Sequence, residues 1–211
     1  MTKILITGFE AFGGETINPT ERVIQRLKDS DVNGAQIVTC VAPVVRYESV
    51  KKVMSAIEEH KPDAIICLGQ AGGRAGVTPE RVAINIDDYR IADNAGNQVI
   101  DQPVFEDEPA AYFSSLPIKA IVRDLTSAGI QASVSESAGT FVCNHLFYAI
   151  QHKLRDTSIR NGFVHIPLLP EQAQNDQPSM SLDIMIKAVK IMINTVLTEE
   201  EDAIITGGKI C

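Results

Sequence analysis

Ser137-Ala-Gly-Thr-Phe-Val-Cys143-Asn-His145-Leu146 is the junction on which the fold reading turns. A β-prone run, Ile130 to Ser135, leads into it, and Leu146, Phe147, Ile150 and Leu154 follow at helical spacing. The junction reads as a strand handing over to a helix that runs from Asn144 to Arg155. Thr140 is the expected N-cap, which puts Cys143 at the third helical position. Free backbone N–H groups there, with the positive end of the helix dipole, favour a thiolate and can hold an oxyanion. Cysteine is also a common small apolar filler, the better reading for Cys40 and Cys67 inside apolar strand-like runs. At Cys143 the flanking Gly139, Thr140 and Asn144 are poor core neighbours, which leaves nucleophile and filler both open.

Outward from the junction, strands and helices alternate. Lys3 to Thr7 is an apolar run of the buried parallel type, ending at Gly8. Asn18-Pro19-Thr20-Glu21 is a strong helix start: Asn as N-cap, Pro at the first position, Glu three residues on. Ile37 to Val41 and Asp63 to Leu68 read as strands around a helix from Tyr47 to His60. The second of these strands empties into Gly69-Gln-Ala-Gly-Gly-Arg74-Ala-Gly76. In Glu80 to Asp87 the alternation of Val82, Ile84 and Ile86 marks one apolar strand face, and Glu80 shares its parity. Pro117 to Ala128 and Ser181 to Thr198 read as helices, and Phe163 to Pro167 as a short strand. Tyr89 to Pro109 is irregular and too long for an idle connection, so it is expected to cover a site or form a subunit contact. The tail, 199–211, shows no pattern, and its terminal Cys211 is expected to be exposed.

This order predicts a single domain over 1–211, a three-layer α/β/α sandwich with a mostly parallel, mixed and twisted sheet. Ligands gather beyond the carboxyl ends of such strands. The loops after Gly8, after Gly69, before Cys143 and after His165 would then meet along one edge.

A formal net charge of −8 argues against nucleic acid or an anionic membrane as partner. No apolar run is long enough to span a bilayer, and the first strand does not read as a signal peptide. Four cysteines without C-x-x-C spacing suggest free thiols in a reducing, cytoplasmic setting. Cys143-Asn-His145 is not a metal-ligand spacing, so no metal is expected. The glycine loop lacks the Gly-Lys-Ser/Thr ending of a phosphate-binding loop, and its glycines read as a turn passing close to something.

His165, at a strand end, is positioned to exchange a proton with Cys143 and a leaving amine. A carboxylate at the edge of an apolar face needs a partner, and Glu80 suits an imidazole N–H. Asp87, Asp88 and Asp93 are rivals for that role by spacing. His145 is expected to face away from the strand edge.

Taken together, Thr7-Gly-Phe9-Glu-Ala-Phe12-Gly-Gly, Asn18-Pro-Thr-Glu-Arg22, Gly69-Gln-Ala-Gly-Gly-Arg74, Glu80-Arg81-Val-Ala-Ile-Asn85, Ala111-Tyr-Phe-Ser-Ser-Leu-Pro-Ile-Lys119, Ser137 to Asn144 and His165-Ile-Pro167 resemble the type I pyroglutamyl peptidases. The resemblance runs in order from the first strand to about Ala188. It implies a cysteine peptidase that removes an N-terminal 5-oxoproline through a thioester, with Cys143, His165 and Glu80 as its triad. It implies no cofactor, and assembly as a homotetramer. For a flat neutral lactam, Phe9 and Phe12 are expected to enclose the ring beside Phe141 and Val142. Gln70 offers both an amide donor and acceptor, and Arg90 is the candidate for oxyanion support. Two other readings stand beside this one. They are a phosphorylase or nucleosidase using the glycine loop, and a non-catalytic binder of cyclised peptides.

Overall fold

In the computed structural model, which describes residues 2–208, the chain forms an eight-stranded mixed sheet with helices on both faces. Strand β1 (Lys3–Phe9) lies parallel between β3 (Ala35–Ala42) and β4 (Ala64–Gln70), and β4 lies parallel to β8 (Arg160–Ile166). The two-residue β2 (Asp31–Val32) pairs antiparallel with β3 at one edge. Beyond β8, strand β5 (Thr78–Ile84) runs antiparallel to it and carries both β6 (Ala111–Phe113) and β7 (Ser135–Ser137).

Period-two alternation splits the core into two layers. Ile4, Ile6, Ile37, Ile66 and Ile166 face α1 (Pro19–Leu27), α3 (Ile118–Ser127) and α5 (Leu182–Thr198). Leu5, Val38, Ile65, Cys67 and Phe163 face α2 (Arg46–His60) and α4 (Val142–Leu154). The expected α/β/α sandwich is the observed one.

The expected helix start at Asn18 is observed, with its side chain accepting from Thr20 N at 3.0 Å. Such a cap contributes about 1 kcal/mol. Ser181 caps α5 in the same manner. Several boundaries differ from expectation, and the short strands β2 and β6 were not expected. β1 continues through Gly8 to Phe9, and β4 through Gly69 to Gln70, because parallel neighbours extend both ladders. The run Ile130 to Ser135 supplies only an isolated bridge at Ala132, and the regular strand is Ser135–Ser137. Along β5, Val82 and Ile84 are half-buried and Ala83 is the buried residue. Glu80 is therefore enclosed by its neighbours β7 and β8, not by an apolar stripe of its own strand.

The long segment after β5 is tied down by polar groups. Asn85 Oδ1 accepts from the N–H groups of Val104 and Phe105, and its Nδ2 donates to Phe105 O. Arg46 at the start of α2 donates through Nε to Asp87 Oδ2 (2.7 Å), through Nη1 to Gln102 and through Nη2 to the Pro103 carbonyl. Asp93 accepts from Arg46 N, Ala95 N and Asn97 N. The expected role of Cys211 lies outside the described residues. Among those described, no helix is long and apolar enough to cross a membrane.

Candidate active site

The carboxyl ends of β4 and β8, the start of β5 and the first turn of α4 converge at one place. In register, His165 on β8 stands between Gly69 on β4 and Thr78 on β5. Its ring follows the parity of Phe163, with the two ring centroids 5.0 Å apart. Phe163 belongs to the α2/α4 layer, against which Cys143 also packs. The thiol and the imidazole therefore share one side of the sheet.

Gly69 makes room for that ring. A Cβ there would lie 2.6 Å from Phe163 Cε1 and 2.9 Å from His165 Cδ2. The close approach expected of the glycine loop thus falls at its two ends, Gly69 against these rings and Gly76 against the Gln131 backbone.

Glu80 is fully buried, and its Oε1 lies 2.7 Å from His165 Nδ1. The same oxygen accepts from Arg74 Nη1 at 2.6 Å. Burial pushes the Glu80 carboxyl up, but the hydrogen bond and charge of His165, with help from Arg74, hold it below its usual range. The rival acids are engaged elsewhere. Asp87 Oδ2 binds both Arg46 and His145 Nδ1 (2.8 Å), Asp93 is wrapped by Asn97, and Asp88 is exposed.

Helix α4 begins one residue later than expected. Phe141 is the N-cap residue, Val142 is the first helical residue and Cys143 the second. Thr140 does not cap it, because its hydroxyl donates to the Asp88 carbonyl at 2.7 Å. The first intrahelical bond runs from His145 N to Phe141 O, so the N–H groups of Val142, Cys143 and Asn144 have no partner within the helix.

The pull of the helix terminus toward a thiolate meets opposing influences at Cys143. Burial first, then the Glu80 carboxylate, push Cys143 up to about 12, against the lowering pull of Arg74 and of its own N–H. Those surroundings favour the thiol, and an adjacent base would offset them.

The next two residues hold the turn in place. Buried Asn144 accepts from Ile84 N and donates to the carbonyls of Ile84 and Ile86, clamping α4 to the end of β5. His145, facing away from the site as expected, is buried against Asp87.

The residues expected to cradle a lactam divide. Phe12 and Phe141 are partly buried, with ring centroids 6.1 Å apart, and Tyr89 packs edge-on to Phe141. Phe9 and Val142 are core side chains: Phe9 continues β1 and packs against Phe163, and Val142 is fully buried. Gln70 is half-buried, and its Oε1 already accepts from Gln172 Nε2 at 3.1 Å. Arg90 is exposed, with no side-chain partner among the described residues. The guanidinium that reaches the site is that of Arg74. Sequence reasoning quoted this residue and gave it no role. The signal available was its place directly after Gly72-Gly73, where Gly73 adopts a φ of +83° and turns the chain back toward β5. Asn144, Asp87 and Arg46 were missed as organisers, since nothing local marks their partners. Among the described residues, no group of three or more His, Cys, Asp or Glu side chains is arranged to hold a metal ion.

A thiol at a helix N-terminus, an imidazole and a buried carboxylate on an α/β/α scaffold define a site of the cysteine-hydrolase class. The sequence profile of the pyroglutamyl peptidase family matches residues 2–199. The pyrrolidone-carboxylate peptidase of Vibrio parahaemolyticus is 58% identical over the full length of both chains. That of Bacillus cytotoxicus is 51% identical over 99% of each. Among solved structures, pyroglutamyl peptidase I from Bacillus amyloliquefaciens superposes with a TM-score of 0.95 at 48% identity, covering 97% of this chain and 99% of that one. The chain belongs to the pyroglutamyl peptidase family.

Proposed function

We propose that this protein is a cysteine peptidase that releases an N-terminal pyroglutamyl residue from peptides, with Cys143, His165 and Glu80 as its catalytic groups. The single observation that carries the assignment of roles is the bond from His165 Nδ1 to Glu80. It fixes the proton on Nδ1 and leaves the Nε2 lone pair as the base. Nε2 takes the Cys143 proton as sulfur bonds to the pyroglutamyl carbonyl carbon. The resulting oxyanion is met by the free N–H groups of the first turn of α4. Collapse breaks the C–N bond, and the imidazolium gives its proton to the departing amine. His165 then deprotonates a water that cleaves the thioester, returning the thiol and free pyroglutamate. No step calls for a cofactor.

Phe12 and Phe141 present ring surface to a flat lactam, and the Gln70 amide N–H₂ offers a donor to its carbonyl. A prolyl substrate would leave that donor unpaired, which discriminates strongly. Arg90 retains an oxyanion role here only if its side chain turns inward. The phosphorylase reading is disfavoured because Arg74, the cation of the glycine loop, is committed to Glu80 and Thr78. None of the relatives above bears such a name.

A homotetramer follows from the family resemblance, and the exposed Ile100 and Phe113 offer apolar surface for subunit contacts. The three free cysteines among the described residues suit a reducing cytoplasm. Turnover of pyroglutamyl-aminomethylcoumarin beside a prolyl control tests the function. Cys143→Ala is expected to abolish release while leaving binding of a pyroglutamyl analogue intact. Cleavage at the parent rate by this variant would remove Cys143 from the mechanism.

A further inference from the structure

Glu80 bears an uneven load. Oε1 takes hydrogen bonds from both His165 Nδ1 and Arg74 Nη1, whereas Oε2 is buried with no hydrogen-bond partner. Arg74 is itself planted: the same Nη1 donates to Thr78 Oγ1 at 2.6 Å, and Thr78 is the register partner of His165 across β5 and β8. Guanidinium, hydroxyl, carboxylate and imidazole thus close a ring that spans the strand pair.

The groups facing this ring are few. They are Glu80 from β5, Ser135 from β7, His165 from β8, Cys143 from α4, Cys67 from β4 and Arg74 from the loop between β4 and β5. Arg74 is the arginine paired with Glu80. Without it, the buried carboxylate would keep only His165 as a charged or ionisable partner, beside the sulfur that has to become an anion. The opposite pulls on the Cys143 thiol, upward from Glu80 and downward from Arg74, agree with this.

Resting on the functional reading above, we propose that Arg74 is a positioning residue of the site, anchoring Glu80 through Oε1 and offsetting its charge while Cys143 ionises. It acts through Glu80 and takes no part in bond making.

The test compares the parent enzyme with Arg74→Met and Arg74→Lys. Iodoacetamide alkylation of Cys143, read by peptide mass spectrometry across pH without substrate, reports the thiolate directly. In Arg74→Met the alkylation midpoint is expected to rise by about one pH unit, the scale of one nearby charge. The kcat for pyroglutamyl-coumarin is expected to fall about tenfold or more, with KM changed by less than about twofold. Arg74→Lys is expected to return the midpoint most of the way. An unmoved or lowered midpoint in Arg74→Met overturns the proposal, as does a loss of activity that Lys does not relieve at all. Should Arg74→Met fail to fold, Thr78→Val removes the hydroxyl beneath the guanidinium and keeps the charge. A smaller rise is then expected, and no rise overturns the proposal. Because alkylation needs no substrate, it judges Arg74 even if the parent releases no pyroglutamate, an outcome that would sink only the functional reading.

Discussion

Glu80 Oε1 lies 2.7 Å from His165 Nδ1, although 85 residues separate the two in sequence. Antiparallel pairing of β5 with β8 creates that contact, with Thr78 opposite His165 in register. Replacing Glu80 by Gln keeps the shape and removes the charge that steadies an imidazolium. We expect kcat to fall by about 10²–10⁴-fold, by analogy with the loss of the acid from other nucleophile–imidazole–acid sites. A coumarin assay at saturating substrate measures it, and a loss under about threefold would show that the carboxylate is dispensable.

The same pair makes a claim about acid stability. The Glu80 carboxyl is held below its usual range in the folded chain, so the folded state binds fewer protons there than the unfolded one. Its ionisation favours the fold at every pH above the ordinary carboxylate value. That contribution is lost as pH falls through the lowered, folded value. Urea midpoints of the parent are expected to fall more steeply with acidification than those of Glu80→Gln. Parallel slopes would contradict this.

Gly69→Ala isolates geometry from charge. The added methyl would press on Phe163 and on the edge of the His165 ring. Activity is expected to drop by about tenfold or more while the protein still folds, with a loss of roughly 1–3 kcal/mol from overpacking. Comparing kcat/KM with the urea midpoint separates the two effects. A variant with full activity would show that the ring has slack.

Arg46→Met addresses the second buried cluster. Asp87 is fully buried, and it would lose its cation while keeping His145 as partner. Breaking such a pair costs roughly 3–5 kcal/mol, measurable by urea unfolding. The loop between β5 and β6 is expected to become sensitive to limited proteolysis, since Arg46 also holds Gln102 and the Pro103 carbonyl.

Asn144→Ala leaves Ile84 N and the Ile86 carbonyl without their side-chain partner, while the Ile84 carbonyl keeps the N–H of Ile86. Stranding a buried group costs about 1–3 kcal/mol, and these part-buried groups fall toward the lower end of that range. A matching fall in the urea midpoint, with kcat reduced because Cys143 is the neighbouring residue, is the expected outcome.

Much of this was legible in the residues. Helix starts at Asn18 and Ser181 announce themselves because a cap is a local hydrogen bond. Parallel strands such as β1 and β4 announce themselves by unbroken apolar runs. The junction at Cys143 was visible for the same reason, though its cap was misplaced, because Thr140 prefers a carbonyl far along the chain at Asp88. What escaped was tertiary. Nothing near Arg74 in sequence says that it folds back onto Glu80, and nothing near Phe9 says that Phe163 will cover it. The surroundings of Cys143 escaped as well: a helix terminus argues for ionisation, and burial with a neighbouring carboxylate pulls the other way.

The two residues after Cys143 look in different directions: an amide into the end of β5, an imidazole into the Asp87 cluster. The turn that carries Cys143 is thereby bolted down on two sides.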